Sequence, residues 1–157
     1  MRNIYLSILL VAIFFLLEVG IGARYLSQFS PVFVVPIFFL VCRQLNLKQT
    51  LVLSLVFGLL FDLSLLDSFP YVTLFFIAQT LIVSYLSQKI LDFSYPFVLI
   101  SSGIILTLAF CFLKLLALSE FVFGLGLVKI LLFNFVLSAA ICLAWVITSK
   151  RYGKATV

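Results

Sequence analysis

The stretch Phe57-Gly58-Leu59-Leu60-Phe61-Asp62-Leu63-Ser64 sets one carboxylate inside an apolar run from Leu51 to Leu66. Acid–base chemistry of the aspartyl type would need a second carboxylate close enough to share a proton with it. Asp67 is five residues on and falls about 140° around a helix, so the two diverge. Glu18 can join Asp62 only if the first and third apolar runs touch. Ion-pair chemistry would need a base, and Lys114 and Lys129 are the basic residues inside later apolar runs. Histidine is absent, which removes the commonest general base and metal ligand. Cys42, Cys111 and Cys142 lie in separate apolar runs without metal-ligand spacing and read as small buried apolar residues, not disulfide partners. No serine–lysine pair stands out. These residues point to no catalytic site, no cofactor and no metal, so a non-enzymatic protein is expected.

The elements that must hold these charges follow from composition. The 157 residues are 66% hydrophobic and only 10% charged, against about 25% charge in soluble domains. Such a chain cannot cover itself with polar surface. An all-α, polytopic transmembrane helix bundle is expected, as one integral-membrane domain over 1–157. Six candidate spans are 4–21, 31–42, 49–66, 71–86, 96–118 and 125–148. The second is short and interrupted by Pro36, which fits a thin, tilted or re-entrant element. Only Ser119, Glu120 and the Gly124/Gly126 pair separate the last two, so they form a tight hairpin. The runs lack the period-2 alternation of a membrane barrel. Arg2, an apolar stretch and Gly20-Ile21-Gly22-Ala23 imitate a cleavable signal, but Glu18 just before that site and the spans that follow argue against removal.

With six spans, the basic residues set the orientation. An inside N-terminus places Arg2, Arg43, Lys48, Lys89, Lys150, Arg151 and Lys154 in cytoplasmic segments, and Arg24, Asp67 and Glu120 outside. This asymmetry predicts both termini in the cytoplasm. Tyr5, Tyr25, Tyr71, Tyr85, Tyr95, Trp145 and Tyr152 fall near predicted helix ends, where amphipathic rings prefer the headgroup level. The net charge of +5 reflects this topology and not nucleic-acid binding.

Stepping back from Asp62 in fours gives Gly58, Ser54 and Thr50, one narrow face of small and polar residues. Lipid gives helices no hydrophobic reason to associate, and small residues allow close backbone approach and interhelical hydrogen bonds. The face is therefore expected to pack inward, on another helix or a partner. Gly103, Thr107 and Cys111 repeat the pattern on the fifth span, Asn134, Ser138 and Cys142 on the sixth, and Thr73, Thr80, Ser84 and Gln88 on the fourth. These stripes are packing seams or the lining of a cavity. Glu18, Asp62, Lys114 and Lys129 all fall in the outer third of the membrane by span position. Either the lysines snorkel outward while the acids find hydroxyls or water, or the four form a charge cluster in which Asp62 pairs with Lys114 or Lys129.

A basic-started first span, Pro31 opening the second run, and Gly58-Leu59-Leu60-Phe61-Asp62 ending the third, in a six-span chain with a basic tail, resemble the MreD family of bacterial rod shape-determining membrane proteins. The layout match covers nearly the whole chain, and its specific part is Pro31, Gly58 and Asp62. Val32 stands where the family often has an acid, and Ser68-Phe69-Pro70 where it often has a glycine. The resemblance implies a non-enzymatic component of the cell-elongation machinery in the bacterial cytoplasmic membrane, scaffolding or regulating lateral peptidoglycan synthesis. Its partners would be an MreC-type membrane-anchored protein, MreB, RodA and a class B penicillin-binding protein. The rival reading is the substrate-capturing subunit of a vitamin-type transporter, also a small six-helix bundle.

Overall fold

The computed structural model describes residues 2–22, 31–65, 70–89, 92, 95–117 and 125–153. Arg24, Tyr25, Asp67, Ser68, Phe69, Ser119, Glu120, Gly124 and Lys154, which entered the topology, turn and family arguments, lie outside the described residues. Every regular element among the described residues is helical. The order is α1 (Arg2–Leu16), continued by a π-helical stretch (Leu17–Gly22), then α2 (Val34–Cys42), α3 (Leu47–Leu65), α4 (Tyr71–Lys89), α5 (Pro96–Ala117) and α6 (Leu125–Gly153). Within α3, α4, α5 and α6 lie four windows long and apolar enough to cross a membrane: Leu47–Ser64, Tyr71–Lys89, Pro96–Leu116 and Gly126–Thr148. Ile8–Gly20 forms a shorter apolar helix.

The second element is the exception that organises the rest. Its nine residues rise only about 13 Å, less than half a hydrocarbon core. Every residue from Val34 to Val41 is buried, and α2 contacts all five other helices. It is a half-length helix enclosed by longer ones. Pro36 does not interrupt it. Phe33 is the N-cap, so Pro36 is the third helical residue, where the missing N–H would have had no intrahelical acceptor. The β-branched Val34, Val35 and Ile37 would favour a strand in water, but in lipid a helix is the way one isolated segment satisfies its own backbone.

The surrounding helices pair as two hairpins, α3 with α4 and α5 with α6. Phenylalanine fills the space between the first hairpin and the centre. Phe38 of α2 stacks on Phe76 of α4 at 4.8 Å between ring centroids, and Phe15 of α1 meets Phe61 of α3 edge-on at 4.6 Å. Each such pair contributes about 0.5–1.5 kcal/mol beyond its area. On α3 the outward residues Val52, Leu55, Val56, Leu59, Leu60 and Leu63 are exposed, as a lipid-facing surface requires. A headgroup placement calls for exposure near helix ends, which Tyr5, Tyr85 and Tyr95 have. Tyr71 departs from it: at 6% exposure it belongs to the core at the start of α4, because that end of α4 is drawn inward.

Candidate functional site

The start of α2 lies deep within the bundle, preceded by non-helical backbone at Pro31–Phe33. Backbone at membrane depth must find partners in the protein, and the first four N–H groups of a helix have none inside the helix. Glu18 supplies them. Its Oε2 accepts the Phe33 N–H at 2.8 Å and the Val34 N–H at 2.9 Å. Asn134 of α6 accepts the Val32 N–H through Oδ1 at 2.8 Å, and returns its Nδ2 to the Ile130 carbonyl one turn back. Pro31 and Pro36 carry no N–H to satisfy. Glu18 and Asn134 are themselves buried.

Asp62 performs the same task one hairpin later. Its Oδ1 accepts the Val72 N–H at 3.1 Å, and its Oδ2 accepts the Thr73 N–H at 3.0 Å together with the Thr73 hydroxyl. Pro70, just ahead of α4, has no N–H and gives its carbonyl to Leu74. A carboxylate here also faces the positive end of the α4 dipole. Each acid thus sits near the end of one helix and caps the start of the next: Glu18 for α2, Asp62 for α4. The geometry answers why an apolar run carries an acid at position 62.

The stripe beneath Asp62 makes the approach feasible. Thr50, Ser54, Gly58 and Asp62 are all buried. A Cβ built on Gly58 would lie 2.5 Å from the Thr73 Cα and 2.9 Å from its Oγ1. Only glycine lets α3 and α4 close at that point, and that closeness brings the Thr73 N–H to Asp62. Thr50 and Ser54 turn their hydroxyls to their own helix, on the Asn46 and Leu51 carbonyls. The α5–α6 seam is built alike. A Cβ on Gly103 would stand 2.6 Å from the Cys142 Sγ, and the Thr107 hydroxyl bonds Ser138 at 3.1 Å. All three cysteines are free thiols.

The proposed four-charge cluster is redistributed. Both Asp62 oxygens are taken up by the start of α4, and among the described residues no ion pair joins Asp62 to Lys114 or Lys129. Glu18 is the acid within electrostatic range of Lys114, which is half-buried, while Lys129 is exposed. Of the two arrangements left open by the sequence, the described residues give Asp62 a hydroxyl and two backbone donors and no lysine, for a physical reason. Two undercoordinated backbone donors at a helix start compete for the carboxylate, they are fixed in place by the fold, and they need no desolvation of a long cationic side chain. Sequence reasoning placed Thr73 and Asn134 on seams without their backbone roles, and it missed Gln79 altogether. Gln79 is 1% exposed, and its Nε2 reaches the Val35 carbonyl at 3.3 Å, tying α4 to α2. The available signal was the prolines: Pro31, Pro36 and Pro70 cluster at helix starts, where orphan N–H groups call for acceptors.

The fold and this capped layer define a multi-pass α-helical membrane protein. Comparison with family models, with curated proteins and with solved structures returned no match.

Proposed function

We propose that the chain is an MreD-like, non-enzymatic component of the bacterial cell-elongation machinery, resident in the cytoplasmic membrane with both termini inside. The observation that carries the reading is that the residues behind the resemblance have one shared purpose. Gly58 and Asp62 join α3 to α4, and Pro31 opens the capped entry to α2. The consumption of both intramembrane acids by helix starts leaves outward lipid faces and short loops as the surfaces for partners of the MreC, MreB, RodA and class B penicillin-binding protein types. The same consumption weakens the transporter-subunit reading, which needs outward polar groups left for a solute.

The test is photocrosslinking in native membranes from exposed positions such as Leu63 and Val136, followed by identification of the attached chains. The proposal expects an MreC-type protein or an elongation synthase among them, and rounded cells on depletion. Attachment to a transporter's energising subunits, with cell shape unchanged on depletion, would overturn it.

A further inference from the structure

At the opposite end of the bundle from the capped layer, a cleft of about 410 Å³ opens between the α2–α3 turn and the end of α4. Its volume falls in the range of small-ligand sites, about 300–1,000 Å³. Its lining is polar in a chain with few polar residues to place: Arg43, Asn46, Ser84, Ser87, Gln88 and Asp92 are part of it. Arg43 and Asp92 lie beyond the helices they follow, so the cleft sits where spans end and headgroups begin.

The charges there are ordered. One wall is the N-terminus of the 19-residue α3, and another is the C-terminus of the 19-residue α4. Helix starts favour anions and helix ends favour cations. Arg43, four residues ahead of α3, adds a guanidinium suited to phosphate oxygens. Asp92, three residues past α4, adds a carboxylate suited to an ammonium. Partial burial lowers the Arg43 pKa from its ordinary value, and the Asp92 carboxylate opposes that shift; both residues line the cleft. Asn46 immediately precedes α3, and its N–H donates to the Gln49 side-chain oxygen. Ser87 bonds the Ser84 carbonyl.

We propose that this cleft binds a phosphoethanolamine group, the headgroup of an amino-phospholipid, with its phosphate toward Arg43 and the start of α3 and its primary ammonium toward Asp92 and the end of α4. A lipid bound there would brace the α2–α3 turn against α4 while its acyl chains run along the lipid-facing helices. The inference stands apart from the elongation reading and uses none of the capping residues.

The test incubates the purified full-length chain with vesicles of phosphatidylethanolamine, phosphatidylcholine and phosphatidylglycerol in equal parts with matched acyl chains. The protein is then repurified and its retained lipids are weighed by mass spectrometry. Phosphatidylethanolamine should be enriched about fivefold over both others, a difference near 1 kcal/mol. Arg43→Gln and Asp92→Asn should each abolish the enrichment, and Lys129→Gln at the far end should not change it. Gln88→Leu, at an exposed rim position, should also reduce it, and carries the test alone if either charge variant misfolds by gel filtration. A further arm adds soluble phosphoethanolamine. Displacement of the retained phosphatidylethanolamine would support recognition through the headgroup, and an equal loss of lipid on adding inorganic phosphate alone would overturn the role given to the ammonium. Equal retention of the three lipids, preference for phosphatidylglycerol, or enrichment that survives the well-folded variants would overturn the proposal.

Discussion

Replacing Asp62 separates a helix cap from an ion pair. Asp62→Leu leaves the Val72 and Thr73 N–H groups without acceptors in a buried site. Each stranded donor costs about 1–3 kcal/mol, so the loss should be roughly 2–6 kcal/mol. Asp62→Asn keeps one carbonyl oxygen for two backbone donors, which strands one of them and should cost about half as much. Thr73→Val removes only the hydroxyl and should cost about 1 kcal/mol. The assay is reversible denaturant unfolding of the purified chain in mixed micelles, followed by helical circular dichroism. The decisive step is the double mutant. If the caps hold α4, adding Lys114→Met or Lys129→Met to Asp62→Asn should be additive within about 0.5 kcal/mol. Recovery of more than about 1 kcal/mol by either lysine change would refute the reasoning and restore the buried ion pair.

Three further outcomes follow from the geometry. Gly58→Ala should destabilise by more than about 1 kcal/mol, because the new Cβ would meet α4 backbone that cannot give way, whereas Leu59→Ala on the lipid face should stay within about 0.5 kcal/mol in the same unfolding assay. Gly103→Ala meets the Cys142 sulfur instead, so Cys142→Ala should recover part of its loss, and a double-mutant cycle would read that coupling. Asn134→Leu should cost about 1–3 kcal/mol by stranding the buried Val32 N–H, and faster hydrogen exchange at Val32 would localise the effect.

Much of this architecture was legible in the chain. Hydrophobic runs located six helices to within a few residues, since lipid forces backbone bonds to close within each segment. The Thr50–Ser54–Gly58–Asp62 face and the Gly103/Cys142 seam were legible because small residues at four-residue spacing have few other uses in lipid. The destination of Asp62 was not. Span depth places its carboxylate near Lys114 and Lys129 as readily as near the start of α4, and depth says nothing about which helix lies beside it. The role of Pro36 was hidden likewise, because a proline in an apolar run reads as a break until the helix start is located two residues before it. Glu18 shows the same limit. Its partners, Phe33 and Val34, are apolar residues whose backbones carry the interaction, and no side-chain pattern records that.

The most direct test of the capping layer is a distance measurement in lipid. Solid-state NMR on chain labelled with ¹³C in aspartate side-chain carboxyls and ¹⁵N uniformly can ask which nitrogen lies beside the Asp62 carboxyl carbon. Amide and lysine ammonium nitrogens are spectrally distinct, so the answer does not depend on a model of either. The structure places the Val72 and Thr73 nitrogens 3.1 and 3.0 Å from the carboxylate oxygens, and so predicts strong dephasing by those two amides and none by a lysine. Dephasing by a lysine ammonium nitrogen, with the two amides silent, would contradict the account.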